Sequence, residues 1–555
     1  MQQLYTEAGR SLSGVPWARY PRPQMVRRDW LCLNGDWDFA WDDVRTRIRV
    51  PFCPESLLSG VSAAPPPCGT EMHYARRFTL PPAWQGRHLL LHFGAVSRSA
   101  EVTVNGALAG RNENGYLPFT LDITALVRPG ENELRVRCVN DLDPRYPWGK
   151  QTLRRGGMWY TPCSGIWQTV WLEPVPEGYI RALSVETGPD WFSVAAEGAP
   201  RGTVCFEGAR FPLGSPIPVA DPVLWTPETP RLYRFTVECG DDAVESYFAL
   251  RTLSVGRVGG VPRLLLNGKP YFFHGLLDQG YWSDGLYTPA APECYEQDIL
   301  AMKALGFNTL RKHIKLEPEQ FYYDCDRLGM LVFQDMVNAG RYSFLRDTGL
   351  PTLGITRLGD RRLNRDGAMR ANFRAAMAET VRLLRPHPCI ALWTIFNEGW
   401  GQFCADEAYD ALRALDSTRF IDSTSGWFHQ KKSDVDSLHI YFRKLRLGRQ
   451  ALPQLLSEFG GYVLKLPEHS FNPDRTYGYR LCRDRADFVR ELRSLYETQV
   501  LPLARKGLCG AIYTQVSDVE DETNGLLTFD RAVCKIAPED FADLALRLRA
   551  AVEEA

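Results

Sequence analysis

Apolar and polar positions alternate with a period of two through the first 175 residues, in runs too short for helices. Arg87–Phe93 (RHLLLHF), Ser99–Val104 (SAEVTV) and Asn132–Val139 (NELRVRCV) are three such runs, and the pairs Asn105-Gly106, Asn114-Gly115 and Pro129-Gly130 supply turns between them. Strands with one apolar face bury it against a second sheet, so a β-sandwich is expected over residues 1–175. The same texture continues on a smaller scale over 176–254, with candidate strands Arg201–Phe206, Leu232–Cys239 and Glu245–Leu250 and a proline-rich loop at Asp221–Pro230. About seven short strands in so short a stretch predict a small immunoglobulin-like β-sandwich.

Beyond Arg251 the pattern changes. Continuous apolar runs now alternate with amphipathic helices, the arrangement of βα units. Eight strands are expected at Tyr271–Leu276, Thr309–His313, Leu331–Asp335, Ile390–Phe396, Phe420–Ser423, Ser437–Tyr441, Gln454–Ser457 and Gly510–Thr514. Helices are expected between several of them, at Cys294–Leu305, Glu317–Leu328, Ala368–Leu384 and Phe488–Arg505. Eight such units over residues 255–555 predict a (β/α)8 TIM barrel, giving a multidomain chain of two sandwiches and a barrel.

Barrels carry their chemistry where strands end and βα loops begin. The fourth strand runs into Asn397-Glu398-Gly399-Trp400 and the seventh into Glu458-Phe459-Gly460-Gly461. One strand-end glutamate is ordinarily a solvated residue or half of an ion pair. Two of them facing each other across a barrel mouth supply the acid and the carboxylate that glycoside hydrolysis requires. At ~5–5.5 Å apart they have the retaining geometry, with Glu398 as general acid and base and Glu458 as nucleophile.

Around these carboxylates the chain resembles glycoside hydrolase family 2, which includes β-galactosidases, β-glucuronidases and β-mannosidases. His387-Pro388-Cys389-Ile390 through Trp393-Thr394-Ile395-Phe396-Asn397-Glu398 is similar to its acid/base signature. Lys303–Arg311, Phe321–Asp324 and Leu328–Val332 extend the likeness through the barrel. Leu33–Trp37, Tyr74–Phe78 and Ser164–Trp167 resemble the family's jelly-roll domain. The resemblance implies a jelly-roll β-sandwich, an immunoglobulin-like domain and a catalytic barrel, in that order. It also implies that Asn397 bonds the sugar 2-hydroxyl, that Arg311 orients the nucleophile and that Tyr441 hydrogen-bonds it. His313 and His439 flank the same mouth and are candidate sugar contacts. So are Asp278 and Gln279 after the first strand, Gln515 after the last, and the loop aromatics Trp400 and Trp427. Tyr281, Trp282 and Tyr513 lie near the same loops, and at least two of these five aromatics are expected to line the pocket.

Departures from the family pattern narrow the substrate. Family glucuronidases carry an Asn-x-Lys pair that clamps the sugar carboxylate, and Glu522 and Asn524 stand at those positions here. An acidic side chain there disfavours a uronate. Large family galactosidases bind Mg2+ through a Glu-x-His after the third strand; Gln334-Asp335-Met336-Val337 offers no such histidine, so no essential metal and no cofactor are expected. They also carry an acidic residue that Gly156-Gly157-Met158-Trp159 replaces. Gln515, Asp518, Glu520, Asp521 and Glu522 form an acidic stretch, of a kind that is ordinarily a solvated loop. The substrate expected is a neutral β-linked sugar, a β-galactoside by default, within an oligosaccharide or glycoside. Glucuronidase activity and a non-catalytic carbohydrate-binding role are the alternatives.

Composition adds exclusions. A formal net charge of -1 leaves no electrostatic footprint for nucleic acid or an anionic membrane. The opening MQQLYTEAGRSLSG lacks a basic and then apolar leader, which predicts a cytoplasmic protein. The 14 cysteines include no C-x-x-C pair and are expected to be reduced and mostly buried, with Cys163, in a loop-like stretch, the one to watch. A homodimer is possible, since sandwich domains of this family often pair.

Overall fold

The computed structural model describes residues 1–62, 69–448 and 451–553. Cys68 lies outside the described residues; the described cysteines are free thiols, and Cys163 is fully buried rather than exposed in a loop. No helix among the described residues is long and apolar enough to cross a membrane.

Residues 31–175 form two facing sheets of four and six strands. Between them lies a core that includes Trp37, Phe39, Ile48, Tyr74, Leu91, Phe93, Val102, Val136 and Leu172. The predicted strands are present, Ser99–Val104 with its predicted ends. Asn105 and Gly106 take φ of 51° and 84°, the left-handed pair that a two-residue hairpin needs. Residues 182–248 form a second sandwich of three and four strands. Its centre is aromatic, with Phe192 stacked on Phe248 at 4.0 Å.

One ion network joins the two sandwiches. Arg27 Nη1 donates to Glu173 at 3.0 Å, while its Nη2 donates to Asp242 at 2.7 Å. Glu173 is fully buried and also accepts from Arg22, Tyr20 and Trp171. Burial pushes its carboxyl up, but Arg22, His92 and Arg27 outweigh that and hold it far below the ordinary range. Arg27→Met removes the arginine from buried Asp242 and one of the two on Glu173, so a loss of about 3 kcal/mol is expected in denaturant melts.

A three-stranded sheet over 253–270, absent from the sequence expectation, leads into the barrel; its Arg263 donates to the Ala504 and Leu508 carbonyls. The barrel strands are β1 (Phe273–Asp278), β2 (Thr309–Lys312), β3 (Leu331–Asp335), β4 (Ile390–Asn397), β5 (Phe420–Ser425), β6 (Asp436–Ile440), β7 (Gln454–Gly460) and β8 (Leu508–Thr514). They pair in parallel in the order 5-4-3-2-1-8-7-6. No ladder joins β5 to β6 among the described residues, and Ser437 Oγ donates across that seam to Asp422 at 2.9 Å. The strand ends differ from expectation chiefly at β7, which runs on through Glu458 to Gly460, and at β1, which lies two residues later than expected; β6 stops before Tyr441. The predicted helix Phe488–Arg505 is instead three segments, α over 485–495, π over 496–500 and α over 501–505.

Candidate active site

Period-two alternation decides what enters the barrel mouth. On β1 and beyond, Leu277 and Gln279 face the cavity, whereas Asp278 points away and binds Lys312 Nζ at 2.6 Å. On β2, Arg311 and His313 point inward and Lys312 points out to Asp278 and Glu317. Asp278 is therefore not a sugar contact, contrary to the sequence expectation: it belongs to an ion network outside the mouth.

Glu398 and Glu458 meet in that mouth. One carboxylate oxygen of each, together with a ring nitrogen of His439, lies within 4.8 Å of the others. Glu398 is the first residue after β4 and sits in the left-handed region at φ 53°. Its N–H donates to the Ser425 carbonyl and its carbonyl accepts from Trp427 Nε1, each at 2.9 Å, and these two bonds hold the strained backbone that aims the side chain. Trp427 thus supports Glu398 from behind and does not line the cavity.

Glu458 is buried and doubly held. Arg311 Nη1 donates to its Oε1 at 3.1 Å and Tyr441 donates to its Oε2 at 2.6 Å. Burial alone would raise its carboxyl; His439 and Arg311 outweigh that, with Tyr441's hydrogen bond, and keep it well below the usual carboxylate range. Arg311 is fixed in turn by Asp335 at 3.0 Å and by Asn397 Oδ1 at 2.8 Å. Gly460 permits this geometry: at φ 85°, a Cβ there would stand 2.2 Å from the Tyr513 ring. Tyr441→Phe removes one donor to Glu458, so its pKa should rise and the acid limb of a kcat/KM–pH profile should move to higher pH. An unmoved limb would assign that limb to another group.

His439 connects the two glutamates. Arg311 Nη1 lies 3.3 Å from its Nε2, and a guanidinium only donates, so Nε2 offers its lone pair. The ring proton then sits on Nδ1, 2.8 Å from Glu398 Oε1 and 3.6 Å from Glu458 Oε2. His313 Nδ1 donates to Asp335 Oδ2 at 2.7 Å, which turns Nε2 toward the cavity. Burial and the nearby Lys150 hold His313 down at about 4, against Asp335, so it faces the cavity as an acceptor at neutral pH.

The cavity, with the solvent space at its mouth, spans about 540 Å3. Gln279, His313, Asn397, Glu398, Trp400, Tyr441 and Glu458 line it as expected, and the sequence reading missed Lys150, Met158, Trp159, Tyr342, Tyr479 and Thr514. Of the five expected aromatics only Trp400 lines it: Tyr281, Trp282 and Tyr513 are buried in packing. Trp159, Tyr342 and Tyr479 take their place, with Tyr479 stacked on Tyr441 at 3.9 Å. Gln515 is likewise buried outside the cavity, its Nε2 donating to Asn524 at 2.9 Å. The acidic stretch is no solvated loop: Asp518, Glu520, Asp521 and Glu522 are all buried. Lys535 binds Asp518, the first-domain Thr161 N–H donates to Glu520, Asn472 donates to Asp521 and Tyr160 donates to Glu522.

Family models match three consecutive stretches of the chain. Residues 68–200 match the glycosyl hydrolase 2 galactose-binding domain-like model, 183–251 the glycosyl hydrolases family 2 model and 261–452 the family 2 TIM barrel domain. The chain belongs to glycoside hydrolase family 2. Among similar family proteins, a Klebsiella pneumoniae β-galactosidase is 26% identical over 77% of this chain and 43% of its own length. A putative β-glucuronidase of Formosa agariphila is 24% identical over 64% of this chain and 34% of its own. The chain thus spans less than half the length of these curated relatives. Solved structures match its fold over nearly their whole length. The β-D-glucuronidase of Dictyoglomus thermophilum has a TM-score of 0.74 at 19% identity, covering 95% of this chain and 98% of that one. A family 2 β-galacturonidase of Eisenbergiella tayi bound to galacturonate has 0.70 at 20% identity, covering 95% and 99%.

Proposed function

We propose that this family 2 protein is a retaining exo-β-glycosidase, with Glu458 as nucleophile and Glu398 as general acid and then base. The observation that carries this is the approach of the two carboxylates to within 4.8 Å, one locked and ionised, the other partly open to the cavity. Oxygens this near one another support the short carboxyl separation of retaining enzymes over the wider one that admits a water between the two groups. Glu458 attacks the anomeric carbon while Glu398 gives its proton to the leaving oxygen, and a covalent glycosyl-enzyme forms. Glu398, now a carboxylate, takes a proton from water, which attacks the same carbon and releases the β-anomer. Asn397 has its Oδ1 engaged by Arg311 and keeps its amide protons for the 2-hydroxyl, a contact that strengthens in the transition state.

An exo mode is proposed with it; the buried side chains of Gln279, His313 and Glu522 are part of the cavity wall. A neutral β-linked sugar, β-galactoside by default, fits the acidic Glu522 better than a uronate does. No essential metal is proposed. The Glu398–His439–Glu458 group could surround a cation, but a cation there would occupy the place of the anomeric carbon. Activity should therefore survive chelation, and a loss restored by Mg2+ would overturn this.

The test is a panel of nitrophenyl β-glycosides with proton NMR of the first-formed sugar. Turnover with the β-anomer appearing first supports the reading, and the α-anomer appearing first would sink it. Adding acceptor sugars to the same reaction separates hydrolysis from transglycosylation.

A further inference from the structure

The sugar cavity contains a cation that the barrel does not supply. Lys150 belongs to the first-domain segment that also carries Met158 and Trp159 to the cavity. Its half-buried ammonium makes no hydrogen bond or ion pair among the described residues and lies over the face of Tyr160, with Nζ 5.8 Å from the ring centre. This is unusual within the protein. Lys312 is paired with Asp278 and Glu317, Lys315 with Glu317, and Lys535 with Asp518. An ammonium that lines a cavity and has no protein partner is free to donate to a ligand oxygen.

Two more polar groups share this cavity. Glu522 accepts from Tyr160 at one oxygen and from Asn524 at the other, at 3.2 Å, yet does not close an ion pair with Lys150. Burial raises its carboxyl, and the charge of Lys150 is the largest pull in the opposite direction, so the two sense each other across the cavity. Gln279, 4% exposed, lines the same cavity and its amide makes no hydrogen bond among the described residues.

An ammonium only donates, a carboxylate only accepts, and a hydroxyl does both. We propose that Lys150 and Glu522, assisted by Gln279, select a neutral sugar by clasping one ring hydroxyl remote from the anomeric carbon. The hydroxyl oxygen accepts from Lys150 and its O–H donates to Glu522. A uronate would satisfy Lys150 but set a second carboxylate beside Glu522. This assignment rests on the glycosidase reading and names the group that reads the sugar.

The experiment compares wild type, Lys150→Met, Lys150→Arg and Glu522→Gln on nitrophenyl β-galactoside, its 4-deoxy and 6-deoxy analogues, the β-glucuronide and the β-galacturonide. Wild type should prefer the parent galactoside over one of the two deoxy sugars by at least about tenfold, as sites built to bond a hydroxyl do. Lys150→Met and Glu522→Gln should both erase that preference, with thermal midpoints near wild type. Unchanged discrimination in both variants overturns the proposal, as does a wild-type preference for either uronide that Lys150→Met abolishes. Binding of galactono-1,5-lactone to Glu458→Gln, with and without Lys150→Met, is read by calorimetry and needs no turnover. Weaker binding by about tenfold in the double variant supports the subsite and equal binding overturns it. Labelling of Glu458 by a 2-fluoro galactoside reports separately on the catalytic reading, so the two fail independently.

Discussion

Replacing Glu458 with glutamine is expected to lower kcat by roughly 10⁴-fold or more, about 5 kcal/mol of barrier. The amide is nearly the size of the carboxylate, so Arg311 and Tyr441 keep a neighbour to pack on and the fold is retained. What is lost is the proposed nucleophile, and with it the covalent intermediate that the proposal requires. A 2-fluoro glycoside should label wild type with one sugar per chain and leave the variant unlabelled by mass spectrometry. Labelling that persisted in Glu458→Gln would assign the nucleophile to another carboxylate.

Glu398→Ala separates the two halves of the mechanism through the leaving group. An alkyl or sugar leaving group needs a proton as the bond breaks, whereas dinitrophenolate does not. The first glycosylation step should therefore fall by about 10²–10⁴-fold for poor leaving groups, the range of general acid catalysis, and little for the dinitrophenyl glycoside. Deglycosylation also loses its base, so an external anion such as azide should restore turnover of the activated substrate and yield the β-glycosyl azide. Equal damage to both substrates, with no rescue, would remove Glu398 from the acid/base role.

The features legible in the sequence are those that depend on short-range pattern. Period-two runs gave the sandwiches, apolar runs between helices gave the barrel, and the strand ends marked Glu398 and Glu458. Asn397, Arg311, Tyr441, His313 and Gln279 followed from the same strand ends or from the family likeness, and each lies in or directly beneath the cavity. The readings that failed are those where one residue's offset along the chain decides direction. Asp278 lies between two inward-facing neighbours, and a single step of alternation sends it to Lys312 instead of the cavity. Trp427 and Gln515 lie at correct loops, yet their polar atoms are spent on Glu398's carbonyl and on Asn524.

The sequence by itself determined the order of domains, the barrel and its two strand-end carboxylates, because these follow from local periodicity and from which residues can end a strand. Only the tertiary structure decided the rest. Partners for the 518–522 acids come from Tyr160, Thr161, Asn472 and Lys535, and the Glu520 and Glu522 contacts span more than 350 residues. Likewise, Lys150 reaches the cavity only because its first-domain segment packs at the barrel mouth. Burial and pairing of a charge are properties of what surrounds it in space, and a single chain read in one dimension carries no local signal of that surrounding.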